Sequence, residues 1–285
     1  MRRAAAPAAL ALAACALMPA TASAEISCAV QEAGAPGPPG NVLAISATTT
    51  EVDVVAVMRN GDEIVVSNDA QGAQVACGGG TPTVTSVDTI NFTGAPATSL
   101  AIDLRGGQFE PGATASALGP EIEWNLNWSG GYLLVNSAPG IDAIGLGLTG
   151  SGPAANLNRA FEDPWDAEAA IGDVASVYLR GDNGDEFLSA AGNFAPFTEF
   201  TAPLNRSSVL DGGGGTDMLH GGSATDLIDG GGGGDEIFGG AGRDDIVAGG
   251  GGDFVDVKDG ERDHVNCGSG KDKVRKDRKD KLLKC

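Results

Sequence analysis

Residues 212–256 are five unbroken nine-residue blocks: GGGGTDMLH, GGSATDLID, GGGGGDEIF, GGAGRDDIV and AGGGGDFVD. Each carries an Asp at its sixth position: Asp217, Asp226, Asp235, Asp244 and Asp253. Each carries an aliphatic residue two positions later: Leu219, Ile228, Ile237, Ile246 and Val255. A block this short and glycine-rich cannot bury its apolar side chain alone. Only blocks stacked on one another build a continuous core. A flexible glycine-rich linker is the rival reading, and it explains neither the periodic Asp nor the periodic aliphatic residue. The glycines suit turns that need positive φ or close backbone approach. Carbonyls in such turns are hard oxygen donors, and the Asp carboxylates add formal charge. Oxygen-only ligation suits Ca²⁺ and not zinc, which prefers nitrogen and sulfur.

The pattern GGxGxDxUx, with U a large apolar residue, resembles the calcium-binding repeat of RTX proteins, the hemolysin-type parallel β-roll. The resemblance implies that the triplet after each Asp is a very short strand with U pointing inward. It also implies two nonapeptides per coil. Asp217 would then stack on Asp235, Asp226 on Asp244, and Asp235 on Asp253, with a calcium ion between each pair. The implied metal-holding set is Asp217, Asp226, Asp235, Asp244, Asp253 and Asp263, with backbone oxygens of Gly212, Gly214, Gly230, Gly232, Gly239, Ala241 and Gly250. After one inserted residue, Val257, the period continues as KDGERDHVN (Asp263, Val265) and then CGSGKDKVR (Asp272, Val274). The glycines thin out there, which makes Asp263 and Asp272 weaker candidates. Upstream, RGDNGDEFL resembles an isolated copy with Asp185 in the Asp slot and Phe187 as its apolar residue. SSVLD, ending at Asp211, resembles one with Ser208 in that slot. Ala224 and Ala248 replace two glycines of the pattern. A methyl at positive φ costs about 1 kcal/mol, so weaker binding is expected at the Asp226 and Asp253 turns.

Charge points the same way. Residues 203–256 hold ten acidic residues against two basic ones, Arg206 and Arg243. Carboxylates at this density repel one another in a compact state. Binding a cation is therefore expected to drive folding, with the segment disordered without calcium and β-rich with it. A formal charge of −20 makes nucleic acid a poor partner.

Residues 1–24 read as a secretory signal. Arg2 and Arg3 precede an Ala/Leu run to Met18, and Ala22-Ser23-Ala24 fits a cleavage site. Leu12-Ala13-Ala14-Cys15 also fits a lipobox, so lipid anchoring at Cys15 stands beside simple secretion. No later stretch is long or apolar enough to span a membrane. Cys28, Cys77, Cys267 and Cys285 remain beyond the signal, an even number that suggests two disulfides in an exported protein. Cys28–Cys77 with Cys267–Cys285 is the expected pairing of the three available, because the two pairs lie at opposite ends of the chain. Free or metal-binding thiols are the alternative. Toxin-type RTX proteins leave by an exporter that reads an uncleaved C-terminal segment, and the N-terminal signal and basic tail here depart from that.

The expected architecture is all-β: a parallel β-roll in the C-terminal half that continues a more irregular, solenoidal β-rich N-terminal region. Residues 25–81 read as an N-terminal β region, with a hairpin turning at Asn60-Gly61 between EVDVVAVM and EIVVS. Residues 82–205 read as degenerate solenoid coils, with a separate β-sandwich as the rival. A short turn at residues 164–171 is the one helical candidate. Residues 206–266 form the roll, and residues 267–285 a basic cap in which Leu282 and Leu283 plug the last coil. From residue 257 onward ten Lys/Arg meet six Asp/Glu. The tail suits a solvated cap, or contact with acidic cell-surface polymers or with the protein's own acidic coils.

Catalytic motifs are sparse. Neither HExxH nor GxSxG occurs, and Gly268-Ser269-Gly270-Lys271 is followed by Asp272 where a phosphate loop needs Ser or Thr. The two histidines, His220 and His264, fall inside repeat units, and His220 is expected to face solvent. One catalytic alternative survives, a β-helix polysaccharide-binding or polysaccharide-degrading enzyme. It would use Glu121, Glu123, Glu162, Asp163, Asp166 and Glu168 near Trp124, Trp128, Tyr132 and Trp165. Otherwise Trp124 and Trp128 simply pack between coils. The leading expectation is a secreted, non-catalytic calcium-binding protein with a structural or adhesive role.

Overall fold

Short β-prone runs separated by glycine turns become strands that alternate between two long sheets. The structure, a computed structural model, describes residues 26–32, 41–48, 54–68, 74–87, 89–96, 98–106, 122–137, 143–149, 152–157, 169–192 and 200–285. Among these the protein is all-β, with one 3-10 turn at Leu104–Gly106. Among the described residues one sheet has 12 strands and the other 10, and a further two-stranded sheet joins Gly250–Gly251 to Ser269–Gly270.

Most strands pair in parallel with a strand of the next coil. In the first sheet Asn41–Ala47, Thr89–Gly94, Glu123–Ser129 and Ala169–Asp173 lie side by side. In the second, Val54–Asn60, Ser99–Asp103, Tyr132–Asn136 and Ser176–Arg180 do the same. The first sheet then runs on through Phe187–Ser189, Met218–His220, Glu236–Phe238, Phe254–Asp256 and Lys273–Arg275. The second runs on through Ser208–Asp211, Leu227–Asp229, Asp245–Val247, His264–Asn266 and Lys281–Leu283. Leu219 sits beside Ile237, and Ile228 beside Ile246. The repeat in space is therefore two nonapeptides. This arrangement is consistent with a β-solenoid.

Two departures are antiparallel. Ala143–Thr149 and Gly152–Asn156 form a hairpin inserted into the first sheet, between Ala169–Asp173 and Phe187–Ser189. At the N-terminal end, Ile26–Glu32 lies antiparallel on Asn41–Ala47, and Glu63–Asn68 folds back on Val54–Asn60 through Gly61 at φ +63°. The expected hairpin is thus present, although residues 51–53 lie outside the described residues. These return strands cover the sheet edges that a parallel stack leaves open. The same two sheets hold strands from both sides of residues 81/82 and 205/206.

Most of the core is one column running from Cys28 to Cys267, with a small separate cluster of Ala143, Ala154, Phe187 and Phe200 beside it. Its wide N-terminal part includes Trp124 and Trp128, the latter edge-on to Phe92 at 5.2 Å. The roll narrows to Leu219, Ile237 and Val255 from one sheet and Leu210, Ile228, Ile246 and Val265 from the other, all buried. Burying one such side chain contributes about 1.5–3 kcal/mol, so each coil depends on its neighbours. Val257, the inserted residue, is buried as well. The expected plug is not there: Leu282 lies in register with Val265 but is 37% exposed, and Leu283 is 60% exposed. Among the described residues nothing stacks on that last coil. Disulfides Cys28–Cys77 and Cys267–Cys285 are both formed. Such bonds belong to oxidising compartments. No helix among the described residues is long and apolar enough to cross a membrane. The signal read over residues 1–24, with Cys15, lies outside the described residues, as do Pro164–Glu168 of the helical candidate; Ile171 is in a strand.

Candidate metal centre

The sixth-position Asp of each block immediately precedes its strand, so the side chains of successive coils fall into columns. Each Oδ1 accepts the backbone N–H of the residue in the same slot one coil earlier. Asp217 N–H reaches Asp235 at 2.9 Å, Asp235 N–H reaches Asp253 at 3.0 Å, and Asp253 N–H reaches Asp272 at 3.1 Å. In the other column Asp226 N–H reaches Asp244 at 2.9 Å, Asp244 N–H reaches Asp263 at 2.9 Å, and Asp263 N–H reaches Asp280 at 3.3 Å. The three Asp pairs expected to stack are therefore neighbours. Ser208 heads the second column: its N–H and hydroxyl donate to Asp226 Oδ1 at 2.7 and 2.9 Å.

Glycine permits this stacking at the second and fourth positions. Gly231 has φ +90° and Gly233 φ +146°. A Cβ on either would press into the carbonyl of Gly213 or Gly215 on the preceding coil. The strain expected at Ala224 and Ala248 is absent, because among the described residues only Lys284 has positive φ without being glycine. Ala248 occupies a first position, which does not require positive φ. The turn containing Ala224 takes another path, and Gly222 has left positive φ too. Gly222 N–H donates instead to Asp226 Oδ2 at 2.7 Å. Asp226 is thus satisfied on both oxygens by the chain itself.

Four of the other carboxylates are not. Asp217, Asp226, Asp235, Asp244, Asp253 and Asp263 are all at most 2% exposed. The Oδ2 atoms of Asp217, Asp235, Asp253 and Asp263 are buried with no hydrogen-bond partner. Among the described residues no Lys or Arg pairs with these six. In the roll, Arg180 pairs instead with Asp211 at 3.4 Å and Arg275 with Asp256 at 2.9 Å. Burial pushes the Asp226, Asp235 and Asp263 carboxyls up to about 6. Burial, with the nearby Asp226, Asp263 and Asp259 charges, pushes Asp244 up to about 8. Asp217 and Asp253 are raised chiefly by burial.

Unpaired carbonyls lie beside these oxygens. A Cβ placed on Gly212 would sit 2.5 Å from Asp217 Oδ2 and 2.8 Å from the Gly230 carbonyl oxygen. One placed on Gly230 would sit 2.6 Å from Asp235 Oδ2 and against the Ala248 carbonyl. No described residue donates to the carbonyls of Gly212, Gly214, Gly230, Gly239 or Ala241. Those of Gly232 and Gly250 accept Gly215 N–H and Gly233 N–H, both at 2.8 Å, and each keeps a second lone pair. Among the described residues no three His, Cys, Asp or Glu side chains converge on one point. A cation here would draw on carbonyls as well as on paired carboxylates. Such an all-oxygen, anionic donor set fits calcium.

Several residues stand elsewhere than the sequence suggests. Leu188, not Phe187, pairs with Leu219. The upstream copy is therefore shifted by one residue, and Glu186 rather than Asp185 fills the slot. Asp185 is exposed and accepts Thr216 N–H at 2.7 Å. Asp280 fills the last slot of the second column, a position signalled only by the Asp-x-Leu of Asp280 and Leu282. His220 is 2% exposed rather than solvent-facing. Its ring lies between Phe187 at 5.5 Å and Phe238 at 4.4 Å, and burial lowers its pKa to about 4. Trp124 and Trp128 are core residues, which removes them as a sugar-stacking platform. Glu121, Glu162, Asp163, Trp165, Asp166, Glu168 and the side chain of Glu123 lie outside the described residues. Comparisons with protein-family models, with curated proteins and with solved structures found no match.

Proposed function

We propose that this protein is an exported, non-catalytic calcium-binding protein of the RTX type. Residues 206–266 would be its calcium-dependent β-roll, continuous with a looser solenoid over residues 25–205 and followed by a basic end at residues 267–285. One observation carries the reading. Two columns of buried carboxylates have orphaned oxygens and no positive side chain beside them. Burying a charge without a partner costs several kcal/mol per ion, so a fold that stacks them needs a counter-charge from outside.

The residues that would hold calcium are Asp217, Asp235 and Asp253 in one column and Asp244 and Asp263 in the other. First-position carbonyls, those of Gly212, Gly230 and Gly239, would join them. Bound calcium supplies positive charge and hard coordination for oxygens that otherwise repel. The chain's own contribution is the scaffold. The Oδ1 ladder fixes each carboxylate, the glycines bring adjacent turns into contact, and the aliphatic column holds the coils together. Asp226 is left out of this set because its oxygens are already satisfied.

Two disulfides and the signal-like N-terminus support an extracellular or cell-surface setting. There calcium reaches the millimolar range in which extracellular modules bind it. A solenoid that becomes rigid on export suits a structural or adhesive role. The test is circular dichroism of the full chain at neutral pH, in chelator and in millimolar calcium. The reading expects a calcium-dependent gain of β signal, and identical spectra would overturn it.

A further inference from the structure

We infer that the column of cation sites begins one coil before the nonapeptides, at a calcium site built by Glu186 and Asp217. The inference rests on the calcium reading of the nonapeptide turns and extends it to a turn without the repeat's Asp. Register is the first argument. Leu188 beside Leu219 places Glu186 in the slot next to Asp217, and Glu186 N–H donates to Asp217 Oδ1 at 2.8 Å. This is the ladder bond that Asp217 itself makes to Asp235 at 2.9 Å.

The side chain is the second argument. Glu186 is 2% exposed, and neither Oε1 nor Oε2 has a hydrogen-bond partner. A carboxyl this buried and with no donor aimed at it is costly unless something else meets its oxygens. What lies nearby is more oxygen: the Asp182 and Asp217 carboxyls and an unpaired carbonyl. A Cβ on Gly181 would sit 2.8 Å from Glu186 Oε2 and press against the Gly212 carbonyl oxygen. That carbonyl accepts no hydrogen bond from any described residue. Asp217 Oδ2, also orphaned, lies 2.5 Å from where a Gly212 Cβ would be. The same three kinds of oxygen recur one coil on, where Asp217, Asp235 and the Gly230 carbonyl meet. Gly181 occupies the first position there as Gly212 does in the next coil, and both must lack a Cβ for the oxygens to approach. Arg180, the base nearest in sequence, pairs with Asp211 on the outer face.

The second column starts differently, which sharpens the contrast. Its upstream slot holds Ser208, a neutral donor that satisfies Asp226 directly. One column thus opens with a further acid and the other with a hydroxyl that takes the place of a cation.

Glu186→Gln separates a cation site from a buried neutral acid. The amide keeps the size and offers the donor that a neutral carboxyl would have, but it can never carry the carboxylate charge. Calcium equivalents bound by the full chain at neutral pH would be counted by native mass spectrometry and calorimetry. The expected result is one equivalent fewer in E186Q, with the remaining equivalents unchanged in affinity. An unchanged count would overturn the inference while leaving the nonapeptide sites intact. A wild-type chain that binds no calcium at all would instead remove the underlying reading, and this one with it. If E186Q does not fold, crystals of the wild-type chain grown in calcium decide. An anomalous calcium peak between Glu186 and Asp217 supports the site, and peaks only from Asp217–Asp235 onward overturn it.

Discussion

Removing calcium should invert the usual dependence of stability on pH. The buried carboxyls of the roll have folded-state pKa values above their unfolded value near 4. A group raised in this way favours the fold when protonated. Its contribution is complete below about pH 4 and is lost as pH rises through the folded value. For Asp226, Asp235 and Asp263 that loss is centred near 6, and for Asp244 near 8. At about 1.4 kcal/mol per pKa unit, Asp244 alone would nominally forfeit about 6 kcal/mol between pH 4 and pH 9. Part of that shift comes from the neighbouring Asp226, Asp263 and Asp259 carboxyls, which titrate together with it, so the loss belongs to the group rather than to Asp244 alone. Asp226 adds a nominal 3 kcal/mol or so on the same scale. A domain is stable by only about 5–15 kcal/mol in all, so a few such groups decide whether the roll folds. The assay is circular dichroism with thermal melts of the full chain in chelator from pH 4 to pH 9, repeated in millimolar calcium. The calcium-free melting temperature should fall steadily across the range, and calcium should restore it above pH 6. A calcium-free chain that grows more stable from pH 4 to pH 8 would refute the reasoning.

Other perturbations probe separate links. Asp235→Asn removes the carboxylate shared by two stacked pairs. It should raise the calcium midpoint of folding at least tenfold at neutral pH, about 1.4 kcal/mol, yet stabilise the calcium-free fold at pH 8; a dichroism titration reads both signs. Gly233→Ala forces a Cβ into the Gly215 carbonyl, whereas a Cβ on Gly232 meets nothing within 4 Å. The first should cost more than about 2 kcal/mol and the second about 1 kcal/mol or less, by denaturant unfolding in calcium. Cys285→Ser opens a disulfide spanning 18 residues and should cost about 3 kcal/mol. Solenoid contacts are local, so hydrogen exchange should quicken mainly in Lys273–Arg275 and Lys281–Leu283.

The roll was legible because its period, its Asp slot and its aliphatic slot coincide in every block. Those three signals together set the register that Leu219, Ile237 and Val255 adopt. Ser208 could be placed because Leu210 follows it two residues on. Glu186 could not, because Asp185 with Phe187 and Glu186 with Leu188 both satisfy Asp/Glu-x-apolar. Only the neighbouring strand chooses between them, by placing Leu188 against Leu219. His220 shows the same limit: its block position is variable in sequence, but Phe187 and Phe238 on adjacent coils enclose it. The antiparallel hairpin of Ala143–Thr149 and Gly152–Asn156 carries ordinary strand and turn residues. Nothing local says that it inserts between two parallel strands. At Ala224 the chain takes a different turn and lends Gly222 N–H to Asp226, an exchange between backbone and carboxylate that a glycine count does not reveal.

The most direct test of the account is a calorimetric titration of the full chain with calcium at neutral pH, followed in parallel by circular dichroism. The account predicts saturable binding of several equivalents per chain, with the β signal rising as they bind. No saturable binding up to millimolar calcium, with the same β signal throughout, would contradict it.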